Sequence, residues 1–295
     1  PFIQNSKQRI LWSSRTGGSV RSSRPSTVSD MGNFNEVVVK VLDPDDVFRG
    51  YTKDWPLTDA RTVLSIAFGY VGLTIIGRAV MKAGIPAIDP YPLKFAYNFS
   101  QIFLCSYMSV EAFMLAYRNG YGICCNEYNR EDPPIANLLW LFYVSKIWDF
   151  WDTIFIILGK KWRQLSFLHV YHHFTVILIC WLFLQVFYDS DVYITILLNG
   201  FIHAVMYTYY FTAMHTKVPE TGKSLPIWWK SSLTIMQMIQ FLIMMGQGVY
   251  TYTMNCQGTN PKITTVCFWY TMTILLMFAK FFRDSYSKKK QHKKD

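Results

Sequence analysis

The chain has 295 residues, of which 51% are hydrophobic, 17% aromatic and only 16% charged, with a formal net charge of +10. Soluble domains carry about 25% charged residues, so this balance excludes an ordinary soluble enzyme, and the aromatic content excludes a disordered chain. Six cysteines in a chain of this length do not form a disulfide framework, which belongs to short secreted domains.

Residues 1–61 are expected to form a non-membrane segment. Before Asp30 this segment carries Lys7, Arg9, Arg15, Arg21 and Arg24 with no acid, among many serines. Such a composition resembles a transit peptide but lacks amphipathic periodicity. The alternative is that residues 1–30 are non-native or disordered and that Met31 is the true start. From residue 31 to 61 the balance reverses, with Lys40, Arg49, Lys53 and Arg61 set against six acids, and this favours the alternative.

A membrane-crossing helix needs ~20 mostly apolar residues to span ~30 Å of hydrocarbon. Seven stretches qualify: 62–81, 95–117, 135–158, 166–188, 191–213, 228–252 and 263–282. They predict an all-α, polytopic membrane bundle over residues 62–283, followed by a basic tail over 284–295. Breakers punctuate the connections at Gly84-Ile85-Pro86, Asp89-Pro90-Tyr91-Pro92, Asp132-Pro133-Pro134, Pro219 and Asn260-Pro261. The connection between the fourth and fifth spans is very short, which predicts that they form a tight antiparallel pair. No internal repeat is present.

Lysine and arginine in the connections set the orientation. Alternate connections hold Lys82 and Lys94, then Lys160, Lys161 and Arg163, then Lys217, Lys223 and Lys230. The tail continues this set with Lys280, Arg283, Lys288, Lys289, Lys290, Lys293 and Lys294. The opposite connections hold only Arg118, Arg130 and Lys262, offset by acids. The C-terminus is therefore expected in the cytosol and the N-terminus in the lumen. On the lumenal side lie Cys124 and Cys125, after the second span, and Cys256, after the sixth. A bridge from Cys256 to Cys124 or Cys125 is expected there. The tail resembles a dilysine retrieval signal, but His292 stands where a lysine is required.

Ionisable residues inside a bilayer are costly and usually line a site. Here they form stripes. Lys146, Asp149 and Asp152 recur every three residues in the third span. His169, His172 and His173 share one face of the fourth. Asn199, His203, Met206, Tyr207 and Tyr210 follow helical spacing in the fifth, and Thr234, Gln237 and Gln240 in the sixth. Lipid does not accept such stripes, so they are expected to face one another across an interior cavity. Interhelical glue explains Thr234, Gln237 and Gln240 equally well, and an ordering ion-pair cluster competes for Lys146, Asp149 and Asp152. Glu111 is a further intramembrane acid with no evident partner. The histidine trio beside His203 is the hardest to explain as packing. His215 and His292 lie in a connection and the tail.

Two chemistries fit His-x-x-His-His. One is a shared metal ion, as in membrane di-iron desaturases and hydroxylases, but those need about eight histidines and this chain has six. The other is acid–base or nucleophilic catalysis by imidazole, which titrates near neutral pH and can accept an acyl group. Cys180 lies seven residues beyond His173, ~10 Å along the helix, and reads as core, as does Cys105. A seven-span transporter with a proton relay is the third class, although it would usually show repeats or broken spans.

Four ordered motifs then carry a resemblance. Lys146-Ile-Trp-Asp149-Phe-Trp-Asp152-Thr153 is similar to the K-x-x-E-x-x-D-T of the ELO family of very-long-chain fatty-acid elongases, with Asp149 in place of the commoner glutamate. Gln164-Leu-Ser166-Phe-Leu-His169-Val-Tyr171-His172-His173 resembles its histidine box. Asn199-Gly-Phe-Ile-His203-Ala-Val-Met206-Tyr207-Thr-Tyr209-Tyr210 resembles N-x-x-x-H-x-x-M-Y-x-Y-Y, and Thr234-Ile-Met-Gln237-Met-Ile-Gln240 resembles T-x-x-Q-x-x-Q. The closest similarity spans roughly residues 140–240.

The resemblance implies a multi-pass enzyme of the endoplasmic reticulum that condenses acyl-CoA with malonyl-CoA to give 3-ketoacyl-CoA, CO2 and CoA. It implies no metal or other cofactor, no nucleic acid, and membrane partners that complete the cycle: a ketoacyl reductase, a dehydratase and an enoyl reductase. Tyr171 in the histidine box resembles elongases of polyunsaturated C18 or C20 chains. On this reading His172 accepts the acyl group and His203 is its base or orienting partner. His169 and His173 orient the others and stabilise developing negative charge, while Asp149 and Asp152 set imidazole tautomers or hold Lys146. Direct attack, with histidine acting only as base, stays open. Substrate contacts are expected from Gln164, Asn199, Tyr207, Tyr210, Gln237 and Gln240. Lys160, Lys161 and Arg163 are expected to meet the CoA phosphates, although the positive-inside rule alone explains their charge.

Overall fold

The computed structural model describes residues 34–48, 50–216 and 227–287. The expected extra segment 1–30, Pro219, Lys217, Lys223 and the tail from residue 288, with its retrieval-like ending, lie outside the described residues. Among the described residues all regular structure is helical. α1 (Phe34–Leu42) precedes α2 (Ala60–Lys82) and α3 (Tyr91–Arg118). α4 (Ala136–Trp148) and α5 (Phe150–Leu158) follow, then α6 (Phe167–Val186), α7 (Val192–His215), α8 (Lys230–Thr253) and α9 (Pro261–Phe282).

Local chemistry starts these helices where the sequence allows. The Asp59 carboxylate accepts from Thr62 N at 3.1 Å and opens α2. Ser166 Oγ accepts from His169 N at 3.2 Å and opens α6, so the cap of this helix lies in the histidine box itself. Asn260 Oδ1 accepts from Lys262 N and Ile263 N at 3.0 and 3.2 Å, with Pro261 at the first helical position of α9.

Among the described residues six helices are long and apolar enough to cross a membrane. Of the seven spans expected from sequence, the third, 135–158, is divided between α4 and α5 at Asp149, and neither half alone is long enough to cross. Asp149 N still donates to Ser145 O at 2.9 Å, but Asp152 N reaches back only to Asp149 O, at 3.1 Å. This one-residue tightening to an i→i+3 bond falls on the residue that carries a buried carboxylate. The outer faces are strongly apolar: Phe68, Ile75 and Phe103 are each more than 60% exposed, and lipid is the medium that covers such surface.

The expected tight pairing of the fourth and fifth spans is not what forms. α6 packs on α2, α4 and α9, whereas α7 packs along α3 and on α8. Small residues explain the partner of α7. Ser109 Oγ donates to Leu197 O at 2.9 Å across the crossing, and a Cβ on Gly200 would stand 2.9 Å from Cys105 O. The turn at 187–191 thus joins two helices that diverge, and the space between them is available for a cavity.

The end of the bundle bearing that turn is tied by polar bonds. Asp189 accepts from Tyr121 OH at 3.1 and 3.0 Å and from Asn129 N at 3.0 Å. Burial pushes the Asp189 carboxyl above the usual carboxylate range, and the donors of Asn129, Ser190 and Tyr121 pull it back. Asp191 accepts from Cys125 N, Asn126 N and Asn126 Nδ2. A disulfide joins Cys125 to Cys256, and Cys124 is free. Glycine is required at Gly258, where any Cβ would overlap Asn126 O.

Two outcomes follow for the purified protein. Gly200→Leu overpacks the α3–α7 crossing at a cost of about 1–3 kcal/mol or more and should lower the melting temperature in detergent; an unchanged melt would contradict the close approach. Non-reducing peptide mapping should recover Cys125 linked to Cys256 and Cys124 open to alkylation. Complete alkylation of Cys256 without reductant would contradict the bridge, whose 131-residue separation is worth up to about 5 kcal/mol in the chain-entropy view.

Candidate active site

The site is built around one buried cation. Lys146, at the end of α4, is 2% exposed. Its ammonium donates to Asp149 Oδ2 at 3.3 Å and to Asn199 Oδ1 of α7 at 3.2 Å, and stands 4.4 Å from the Phe142 ring centroid. Asp149 Oδ1 is held from α3, where Gln101 Nε2 donates to it at 2.6 Å. Gln101 Nε2 also lies 3.1 Å from the hydroxyls of both Tyr97 and Tyr207. Tyr207 OH donates to Asp152 Oδ2 at 2.8 Å. One ammonium, two carboxylates and four polar side chains, Tyr97 and Gln101 of α3 and Asn199 and Tyr207 of α7, thus form one network across α3, α4–α5 and α7.

The histidines form the facing wall. The rings of His169 and His173 are 4.4 Å apart between centroids, and those of His172 and His173 5.6 Å. His169 Nε2 is paired with Thr153 Oγ1 at 2.8 Å, and Thr153 with Tyr70 OH of α2 at 3.1 Å. A hydroxyl relay, rather than a carboxylate, therefore fixes His169. Among the described residues Asp149 and Asp152 hydrogen-bond no imidazole; of their two expected roles, only the holding of Lys146 has a counterpart in the geometry. The Nδ1 atoms of His172, His173 and His203 are buried and unpaired among the described residues.

A cavity of about 100 Å³ runs between α6, α7, α8 and α9. His172, Asn199 and Gln240 line it together with apolar side chains such as Val176, Phe183 and Ile274, and it reaches Asp191 and Thr259 at the tied end. Cys180, expected in the core, also faces it. The cavity is smaller than the ~300–1,000 Å³ of common ligand sites.

The structure brings together Lys146, Asp149, Asp152, Asn199 and Tyr207 in one network, and His172, Asn199 and Gln240 on one cavity. Tyr210 meets Tyr207 edge-on, with ring centroids 6.0 Å apart, but is 39% exposed. Gln237 is partly buried and does not line the cavity. Gln164 is exposed, its backbone shaping the turn before α6. Lys160, Lys161 and Arg163 lie in the same connection, outside the cavity lining. Glu111 pairs at 3.9 Å with Arg118 and takes no part in the site. Sequence reasoning passed over Gln101, Tyr97 and Tyr70. Gln101 was detectable as an amide in the middle of an apolar span, one helical turn from Tyr97. Among the described residues no three His, Cys, Asp or Glu side chains are gathered where they would share an ion.

Comparison with known proteins gives this arrangement its setting. Residues 55–294 match the family model described as ELO: GNS1/SUR4 family. The chain belongs to the ELO family. Very long chain fatty acid elongase 4 of Homo sapiens is 31% identical over 285 residues, covering 90% of this chain and 87% of its own length. The Mus musculus protein of that name is 31% identical over 250 residues, covering 81% and 77%. Very long chain fatty acid elongase 2 of Mus musculus is 32% identical over 225 residues, or 72% of each chain. This ELO family chain is a multi-pass membrane protein.

Removing one member of the buried pair separates a site from an ordering ion pair. Lys146→Met leaves Asp149 uncompensated and should cost about 3–5 kcal/mol. Adding Asp149→Leu should recover most of the melting temperature. If the pair only ordered the bundle, the double variant would regain activity along with stability; it is expected to stay inactive in an elongation assay.

Proposed function

We propose that this ELO family chain is the condensing enzyme of fatty-acid elongation, a very-long-chain 3-oxoacyl-CoA synthase. It joins acyl-CoA to malonyl-CoA and yields 3-ketoacyl-CoA, CO2 and CoA. The observation that carries the reading is the apolar cavity with His172 and Asn199 on its wall, in a chain whose relatives are named elongases. A thioester needs an apolar sleeve for its chain and a polar head where the carbonyl reacts, and the cavity offers both.

His172 is the acyl acceptor. Its ring attacks the thioester carbonyl, and CoA leaves with the electrons of the C–S bond and the proton that the acylated ring gives up. Malonyl-CoA then loses CO2, and the carbanion that results attacks the acyl carbon; the new C–C bond forms as the C–N bond to the ring breaks, and the departing imidazolide takes up a proton from solvent through His203. His203 moves protons or orients His172, while His169 and His173 pack beside it. Burial removes water from these steps, which strengthens every polar contact to the reacting groups.

Finer features belong to the same proposal. Lys160, Lys161 and Arg163 form a docking rim for the CoA phosphates. The favoured chains are polyunsaturated, C18 or C20, on the strength of Tyr171 in the histidine box, which also ties α6 to α9 through Thr273 Oγ1 at 3.1 Å. The enzyme resides in the endoplasmic reticulum with its C-terminus cytosolic and its N-terminus lumenal. It works with a ketoacyl reductase, a dehydratase and an enoyl reductase, and needs no cofactor of its own. The metal-dependent desaturase and proton-relay transporter readings are not favoured. The first lacks a gathered ligand set among the described residues, and the second leaves the elongase relatives unexplained.

Membranes holding His172→Ala or His203→Ala should incorporate labelled malonyl-CoA at background level while the protein remains inserted. Near-normal incorporation by either variant would remove that histidine from the chemistry. Product formation that requires oxygen and iron would point instead to a desaturase.

A further inference from the structure

The orientation of one amide on the cavity wall is fixed by chemistry. A lysine ammonium has donors and no acceptor, so the group of Asn199 that faces Lys146 is the carbonyl oxygen, Oδ1, at 3.2 Å. The Asn199 NH2 therefore points away from Lys146. It has no hydrogen-bond partner among the described residues, and Asn199 lines the cavity that His172 lines. The amide cannot turn over without placing two donors against a buried cation. That constraint reaches back through Asp149, which holds Lys146 at 3.3 Å, to Gln101, which holds Asp149 at 2.6 Å.

We propose that Asn199 Nδ2 is the oxyanion donor of the condensation, a catalytic residue that receives the thioester carbonyl oxygen as it becomes negative. This inference rests on the condensing-enzyme reading. When the nucleophile adds to the carbonyl carbon, the C=O π pair moves onto oxygen, and the Asn199 N–H groups donate to it. When the pair returns, the C–S bond breaks and CoA leaves as described above. The donor is preorganised, since its far side is anchored on Lys146 before substrate arrives, and such donors act most strongly where water is excluded. His203 and Tyr207 follow Asn199 at i+4 and i+8 on α7, so the donor, the proposed base and the hydroxyl that bridges to Asp152 share one face of one helix.

Asn199→Asp keeps the shape, keeps an oxygen on Lys146 and removes the donor. The test uses the full chain in lipid nanodiscs. Single-turnover condensation of acyl-CoA with malonyl-CoA should fall about 100- to 1,000-fold in Asn199→Asp. Affinity for a thioether analogue of acyl-CoA, which has no carbonyl oxygen, should stay at the wild-type value. Wild-type turnover in Asn199→Asp would overturn the inference and leave the condensing function standing. Parallel loss of turnover and thioether binding would assign Asn199 a structural role and overturn it as well. An unsubstituted chain that condenses nothing would overturn the function itself, and the inference with it.

Discussion

An ammonium in a membrane interior has to be met on every side, and meeting Lys146 organises this molecule. Asp149 supplies the counter-charge from the next turn, and Asn199 supplies an amide oxygen from α7. Satisfying Asp149 in turn draws Gln101 in from α3. Each group left alone in a dry interior would be costly. Together they lock α3, α4–α5 and α7 into one register, and the break between α4 and α5 falls on the carboxylate at the centre of the network.

The same register opens the cavity. Gly200 and Ser109 let α7 lie close against α3, so α7 turns away from α6 although only a short turn joins them. α8 and α9 close the gap from the other side. At the tied end, the disulfide and the bonds of Asp189 and Asp191 hold three connections together. The opposite end carries the basic connection of Lys160, Lys161 and Arg163. The cavity thus runs from the wall that carries His172 and Asn199 to a floor fastened by these bonds.

Much of this was legible in the sequence, and the rest failed for physical reasons. Membrane class, most spans and the polar stripes follow from composition and period, because hydrocarbon tolerates few alternatives. The stripes of α4–α5, α6 and α7 do converge. The divided third span escaped notice because hydropathy averages over a break of one residue. The pairing of α6 with α7 was misjudged because a short connection limits where two helices start, not where they run. Gln101 lay outside every stripe, and its importance depends on a three-helix meeting that periodicity does not encode. The aspartates of α4–α5 are expected to set imidazole tautomers or to hold Lys146; they hold Lys146, and a threonine of α5 reaches His169.

The proposed chemistry has an imidazole buried in this bundle take up an acyl group. The most direct measurement incubates the purified full-length protein with radiolabelled acyl-CoA in the absence of malonyl-CoA, then quantifies free CoA and locates the label by peptide mass spectrometry. One equivalent of CoA released, with the acyl group on the α6 peptide that contains His172, is expected. Retention of intact acyl-CoA until malonyl-CoA is added, with no label on the protein, would contradict a histidine acyl acceptor.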